Sequence, residues 1–529
     1  MTTLTSLARG LAVESGHAEL IRTVRHVHVS DRPLVFIPLQ LAGEANAPLA
    51  ALVGDDRDKP RLLTVYEPRN RTERFEFAAT LATEVILPYI EGYAAGEPGD
   101  KEAYPDAPQI LVPNLAGVKF TRLLGRSTRF RRTQGEWAVP ASVPLVGRWL
   151  TFYAERTEHP ASSVLLPLTS ALAAHWATGQ SAAEDQNLAA LLAWIAPPRG
   201  KSALEAARDA ENPLDWPPAG PATDPSFDDE VLAGLIAGIR EATTAGRETV
   251  IARYRAALDT ALLTQLEPTW RLMWRGVDLL RSLPGGARVA RRWESDRWSF
   301  TRQVAWLRDG GAPQAKRDSA VQAAQRLDRL EREQQQVAVQ QAYDDPLVMA
   351  EYRMTGEAFE GKVVYADPGR RLGEGRSATI RPVIVVETDD PVVIEAGREV
   401  VDPSRDKQKG LVLDRPAARA ALAAPSAFAT PAAFALPATP DPGGVPGGPA
   451  GDAARTWVTL ELSGGGIGRK PPAPPGRMPA VGDVVCYTTL IDEFHRPPEF
   501  PDRENTPWTH GGPPQDYVDN DDDASEAWQ

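Results

Sequence analysis

The sequence predicts a multidomain α+β protein: a mixed α/β N-terminal domain, a helical middle domain with a polar stalk helix, and a C-terminal small antiparallel β-barrel. Three observations carry this. Apolar residues alternate with period two near the start, recur at threes and fours through the middle, and return to period two after Pro346. A chain of 529 residues is too long for a single core. Its 48 prolines and 42 glycines exceed what compact folds need, so inserted segments are expected between the folded parts.

Residues 1–195 read as the mixed α/β domain. TVRHVHVS, RPLVFIPLQ, APLAALVGD and RLLTVYEP alternate and are separated by gaps too short for crossover helices, which predicts three or four antiparallel strands. ERFEFAATLATEVILPYIEGY, VPLVGRWLTFYAER and DQNLAALLAWI then show helical spacing. Residues 196–225 hold seven prolines and read as a linker or strapping loop. Ser226 is the expected N-cap of the helical domain 226–345, with Asp228 and Asp229 in its first turn and Leu232, Leu235, Ile236 and Ile239 as its stripe. That domain ends in AVQAAQRLDRLEREQQQVAVQQAY, where Ala323, Leu327, Leu330, Gln334, Val337 and Gln341 keep a 4-3 spacing in a segment polar enough for a stalk or a weak coiled coil.

Residues 346–495 contain six β-rich runs: EGKVVYAD, TIRPVIVVET, PVVIEAGREVV, QKGLVLD, TWVTLELSG and VGDVVCYTTL. Six short strands left open would expose edges, so closure into a barrel is expected, with Val458, Leu460 and Leu462 facing inward. The Ala/Pro/Gly tract 415–453 is expected to be a disordered insertion, and 496–529 an irregular acidic tail ending DYVDNDDDASEAWQ.

Composition excludes several classes. The single cysteine, Cys486, rules out an intramolecular disulfide and a cysteine-rich zinc site, and fits a reducing, cytoplasmic setting. MTTLTSLARGLAVESGHAEL lacks the pattern of a secretory signal. The most apolar stretch, Val164 to Trp176, is too short and too interrupted to span a bilayer, so no membrane partner is expected. A formal charge of −13 argues against a whole-surface nucleic-acid binder and permits a local basic face.

One window provides such a face. Between Trp270 and Arg308 stand five tryptophans and nine arginines against three acids. In QLEPTWRLMWRGVDLLRSL, Trp270 and Trp274 fall on the apolar stripe, with Arg271, Arg275 and Arg281 opposite. In RVARRWESDRWSFTRQVAWLR the stripe is Val289, Trp293, Phe300, Val304 and Leu307, whereas Trp298, Arg302 and Trp306 follow one another at intervals of four off that stripe. Arginine beside exposed indole is what a single strand uses for phosphate contact and base stacking. The expected contact face is Arg291, Arg292, Arg297, Trp298, Arg302 and Trp306. The structural alternative is that the arginines solvate two amphipathic helices and Trp298 packs on a neighbour.

Other motifs are weaker. RGKSALEAA ends like a phosphate loop but has Ile195 where the first glycine belongs, which excludes the wrap around phosphates. SGGGIGRKPP lacks dinucleotide spacing and reads as a hairpin loop. His26 and His28 would share one strand face without a third ligand, and Cys486, Asp492, His495 and His510 form a loose set in irregular sequence. Asp55 or Asp56 with Glu67 has nuclease-like spacing, but Pro68 and Arg69 stand where the motif needs strand and lysine. Cys486 reads as a strand residue and not a nucleophile.

The phrases RPLVFIPLQLAGEANAPLAALVG and TPWTHGGPP, with the Ala/Arg/Pro bias, resemble a protein type of high-GC Gram-positive bacteria. The resemblance implies a compartment but no activity or catalytic residue. The expected function is a non-enzymatic binding or adaptor protein without cofactor or metal, contacting single-stranded nucleic acid and an unidentified protein in a DNA- or RNA-processing assembly. Two alternatives stand beside it: a protein-interaction scaffold using barrel and tail, and a metal-dependent hydrolase or nuclease in the N-terminal domain.

Overall fold

A computed structural model describes residues 3–44, 47–96, 103–213, 216–218, 220–373, 378–405, 407–414, 456–468, 472–492 and 498–499. The Ala/Pro/Gly insertion 415–453, and the tail 496–529 apart from residues 498–499, therefore lie outside the described residues. The chain divides into two compact units at Asp345/Pro346.

The first unit is built on a five-stranded sheet ordered Arg61–Thr64, Pro48–Gly54, Leu34–Gln40, Ile110–Val112, Leu165–Pro167. The first three strands form the expected antiparallel meander, and Leu34–Gln40, Ile110–Val112 and Leu165–Pro167 run parallel. The parallel pair arrives after helical crossovers, as parallel strands require. Buried strands with helices on both faces read as apolar runs, and in Leu34–Gln40 successive residues still divide between two cores. Leu34 and Phe36 join a core with Phe75, Trp149, Tyr153, Trp293 and Phe300. Val35 and Ile37 join another with Leu258, Leu262, Trp270, Met273 and Val277. The helices Glu248–Ser282 and Val289–Arg308 therefore cover opposite faces of the sheet.

It follows that residues 226–345 share their cores with the α/β layer instead of enclosing one of their own. The Pro-rich segment is integrated as well: it carries the helix Ala203–Glu211, opened by a Ser202/Glu205 capping box, whose alanine face packs on Leu188–Ile195. Its far end extends the central strand through Gln40 N–H to the Pro221 carbonyl. The cap of the following helical segment is Asp224, which accepts from Ser226 N–H, in place of the expected Ser226.

TVRHVHVS is not a strand, contrary to its alternation. Its backbone donors go to buried side chains: Thr23 N–H to Asp345 (2.7 Å), His26 N–H to His175 Nε2 (3.0 Å), His28 N–H to Ser163 Oγ (3.3 Å) and Ser30 N–H to Gln109 Oε1 (2.9 Å). Side chains here supply the acceptors that a neighbouring strand would otherwise provide, so no donor is left unpaired at these four sites. The polar helix Ala320–Asp344 starts at a Ser319/Gln322 capping box and buries Val337, Val339, Gln340 and Ala342 near its C-terminal end, while Leu327 is exposed.

The second unit, Pro346–Phe494, contains a closed antiparallel barrel with one strand in each of the six β-rich runs, the first of them, Ala358–Asp367, starting two residues ahead of EGKVVYAD. Around it run Val383–Thr388, Thr456–Gly464, Gln408–Val412, Glu399–Val401, Val484–Thr488 and Ala358–Asp367. Val458, Leu460 and Leu462 point into its core beside Phe359 and Tyr487. Among the described residues no helix is long and apolar enough to cross a membrane.

Candidate nucleic-acid interface

The helix Val289–Arg308 is held by its inner face. The turn before it is pinned by Arg25 N–H to the Pro284 carbonyl (2.7 Å) and Gly286 N–H to the Arg25 carbonyl (2.9 Å). Arg288 pairs with buried Asp344 at 2.8 Å. Trp293 stacks on His28 with ring centroids 3.9 Å apart and donates from Nε1 to Asp106 at 2.6 Å. Asp296 accepts from Ser163 N–H (2.7 Å) and Arg156 (2.9 Å). Burial raises the Asp296 carboxyl above its ordinary value despite the Arg156 guanidinium beside it. Phe300, fully buried, sits on Trp149 and Tyr104.

With Trp293 and Phe300 fixed inward, the opposite stripe is exposed. Trp298 is 43% and Trp306 53% accessible, and Arg291 and Arg302 are exposed on the same helix. Eight residues separate the two indoles, a rise of about 12 Å along the axis. Arg297 lies 5.0 Å over the Trp298 ring, donates to the Tyr104 carbonyl at 3.3 Å and is 3.6 Å from Glu294. Arg302 donates to Ser299 Oγ at 3.4 Å and has no carboxylate within ion-pair distance among the described residues. Trp306 closes the end of the helix: its Nε1 donates to the Ala312 carbonyl at 2.9 Å, and its ring lies against Gly311.

Arg292 must be removed from the expected face. It is only 7% accessible and donates to Gln340 Oε1 (2.9 Å) and the His26 carbonyl (3.0 Å). It falls next to Trp293 and one turn before Asp296, on the inward side of the helix, where it joins the helix to the N-terminal segment and the stalk. The excess of arginine over acid across the window is also smaller in space than in sequence. Arg271 pairs with Glu267, Arg288 with Asp344 and Arg308 with Asp309, while Arg281 and Arg275 donate to main-chain carbonyls of Ser30 and Ala196. Trp270 and Trp274 are buried, as their period implies.

The other candidate sets do not assemble. Among the described residues no group of three His, Cys, Asp or Glu is placed to hold a metal. His26 lies inward with Nε2 3.4 Å from Asp345, whereas His28 faces Trp293. Asp55 pairs with Arg32 at 2.8 Å and Glu67 with Arg240 at 3.2 Å. His495 and His510 lie outside the described residues. Burial pushes the Cys486 thiol up to about 12, the opposite of an activated nucleophile. The buried polar set Gln109, Ser163, His175 and Asp345 carries no motif in the sequence, because its partners are backbone amides far away in the chain. No family model matches the chain, and neither curated proteins nor solved structures give a match.

Proposed function

We propose that the protein is a non-enzymatic binding protein for single-stranded nucleic acid, using Arg291, Trp298, Arg302 and Trp306 with Arg297 as support. One observation carries this: two indoles stand open on a helix that buries its other aromatic residues, with Arg302 midway between them. Exposed large aromatics on a firmly anchored helix serve as stacking surfaces with little ordering cost, and a guanidinium between them supplies a phosphate contact. Binding is expected to be weak and salt-sensitive, because few arginines in the window remain outside ion pairs and carbonyl contacts.

The test is fluorescence anisotropy of a labelled oligothymidylate with the full chain at 50 and 200 mM salt. Trp298→Ala and Arg302→Ala should each weaken binding, the tryptophan change by about tenfold, in line with roughly 1–3 kcal/mol per stacked base. Neither residue is buried, so thermal stability should be unchanged. Equal affinity in wild type and the double variant, or no binding at 50 mM salt, would overturn the proposal. In that case the exposed indoles are left as a surface for a protein partner.

A further inference from the structure

Three loops meet at one end of the barrel: the turn between Glu399–Val401 and Gln408–Val412, the glycine run after Leu462, and the segment leading into Val484–Thr488. They enclose an open cleft of about 470 Å³ lined by Arg405, Lys407, Gln408, Gly466 and Arg477 with their neighbours. That volume is in the range of small-molecule sites. The three cations are held differently. Arg405 is anchored, 3.6 Å from Asp402 and 3.8 Å from Asp483. The Arg477 guanidinium lies along the bare backbone of Gly466, where an added methyl would stand 3.4 Å from Cδ and Nε. Lys407 is exposed. Neither Lys407 nor Arg477 has a carboxylate within 4.0 Å among the described residues.

Two further observations set this cleft apart from an ordinary basic surface. Lys407 has φ of 56°, the one described non-glycine residue in the left-handed region, a conformation that costs a lysine energy and concentrates at functional sites. It is seated there by Gly465 N–H donating to its carbonyl at 2.9 Å, with Gly464, Gly465 and Gly466 all at positive φ opposite. Gln408, 2% accessible, donates from Nε2 to the Arg477 carbonyl at 2.7 Å, while its Oε1 is buried with no hydrogen-bond partner. A buried, unpartnered amide oxygen beside a basic cleft is an acceptor in want of a donor. Among the described residues of 402–408 and 464–478, three are Lys or Arg and one is Asp, within a chain of charge −13.

We propose that this end of the barrel binds a phosphorylated ligand, with Arg405, Lys407 and Arg477 on phosphate oxygens and the Gln408 carbonyl accepting from a hydroxyl or amine of the same ligand. Cations converging on one opening match the multiple charge of a phosphate better than that of a single carboxylate, and arginine matches its oxygens in a fork. The donor requirement points to a nucleotide or sugar phosphate, or to a nucleic-acid end, in preference to bare phosphate. The inference is independent of the Trp298 face, which lies in the other unit.

The test is calorimetric titration of the full chain at low salt with three probes: inorganic pyrophosphate, adenosine diphosphate and an oligothymidylate. Saturable binding of at least one phosphate probe is expected, reduced tenfold or more in the Lys407→Gln/Arg477→Gln double variant. Both side chains are exposed, so its melting temperature should match wild type. Gln408→Met should weaken the nucleotide more than pyrophosphate, which has no donor to offer that carbonyl. Absence of saturable heat with all three probes, or affinities within twofold of wild type in the double variant, would overturn the proposal. Binding of the oligonucleotide alone, abolished by Trp298→Ala/Arg302→Ala, would also overturn it, because that binding belongs to the helix face.

Discussion

Arg292→Ala is expected to cost stability and leave the binding face intact, the reverse of Arg302→Ala one helical stripe away. The guanidinium is buried and donates to Gln340 Oε1 at 2.9 Å and to the His26 carbonyl at 3.0 Å. Each hydrogen bond made by a charged group contributes roughly 1.5–3 kcal/mol, and its loss leaves a buried acceptor unsatisfied, so the pair amounts to about 3–5 kcal/mol. An unfolding entropy of about 2.1 cal/mol/K per residue, taken over a unit of roughly 345 residues, gives ~0.7 kcal/mol/K. The melting temperature of the first unit should therefore fall by roughly 4–7 °C. Differential scanning calorimetry measures this directly, with Arg302→Ala as the surface control expected within ~1 °C of wild type. A double-mutant cycle with Gln340→Ala should return a coupling of about 1 kcal/mol or more, since the two side chains touch. If Arg292→Ala melts with wild type, or if it lowers oligonucleotide affinity while remaining folded, the assignment of Arg292 to the interior is wrong.

Two further outcomes follow from buried groups. Desolvation lowers both His28 and His175 to about 4, against an ordinary value of 6.5. The unfolded chain therefore takes up protons that the folded chain refuses between about pH 6.5 and 4, so stability is fully present above that window and is lost as pH falls through it, by roughly 3 kcal/mol per histidine at its foot. Urea unfolding at pH 7 and pH 5 should show the decline, and His175→Gln should flatten it; an unchanged slope would show that His175 titrates alike in both states. Asp296, with its carboxyl raised by burial, contributes the opposite slope and is common to both proteins. Gly147→Ala tests the close crossing of Leu115–Thr128 and Ser142–Arg156: the added methyl would overlap the Arg129 amide and stand 2.5 Å from Thr128 Oγ1. A loss of about 2 kcal/mol or more is expected, because backbone cannot yield as a side chain can; a neutral result by the same calorimetry would mean that the helices can separate without cost.

Much of the architecture was legible because period carries it. TWVTLELSG alternates, and Val458, Leu460 and Leu462 do face the barrel core. Trp270, Met273 and Val277 recur at threes and fours, and they do pack beneath the sheet. TVRHVHVS shows the limit: it alternates as a strand does, yet Asp345, His175, Ser163 and Gln109 take the hydrogen bonds that pairing would have made. The candidate face divides in the same manner. Helical spacing separated Trp298 from Trp293, since the two lie on different stripes. It could not separate Arg292 from Arg291, because an arginine beside the boundary of an apolar stripe can turn out to solvent or inward, and only the presence of Gln340 and the His26 carbonyl decides which.

The sequence by itself determined the barrel strands, the amphipathic middle helices and the separation of the Trp298, Arg302 and Trp306 stripe from the apolar one, because these follow from local periodicity and the need to bury apolar surface. Only the tertiary structure decided that residues 226–345 share cores with the α/β layer, that Arg292 is interior, and that loops from distant parts of the barrel sequence bring Lys407, Gln408 and Arg477 around one cleft. The physical reason is common to all three: a polar group takes the partner that folding places beside it, and that partner lies far off in the chain, beyond the reach of any local pattern.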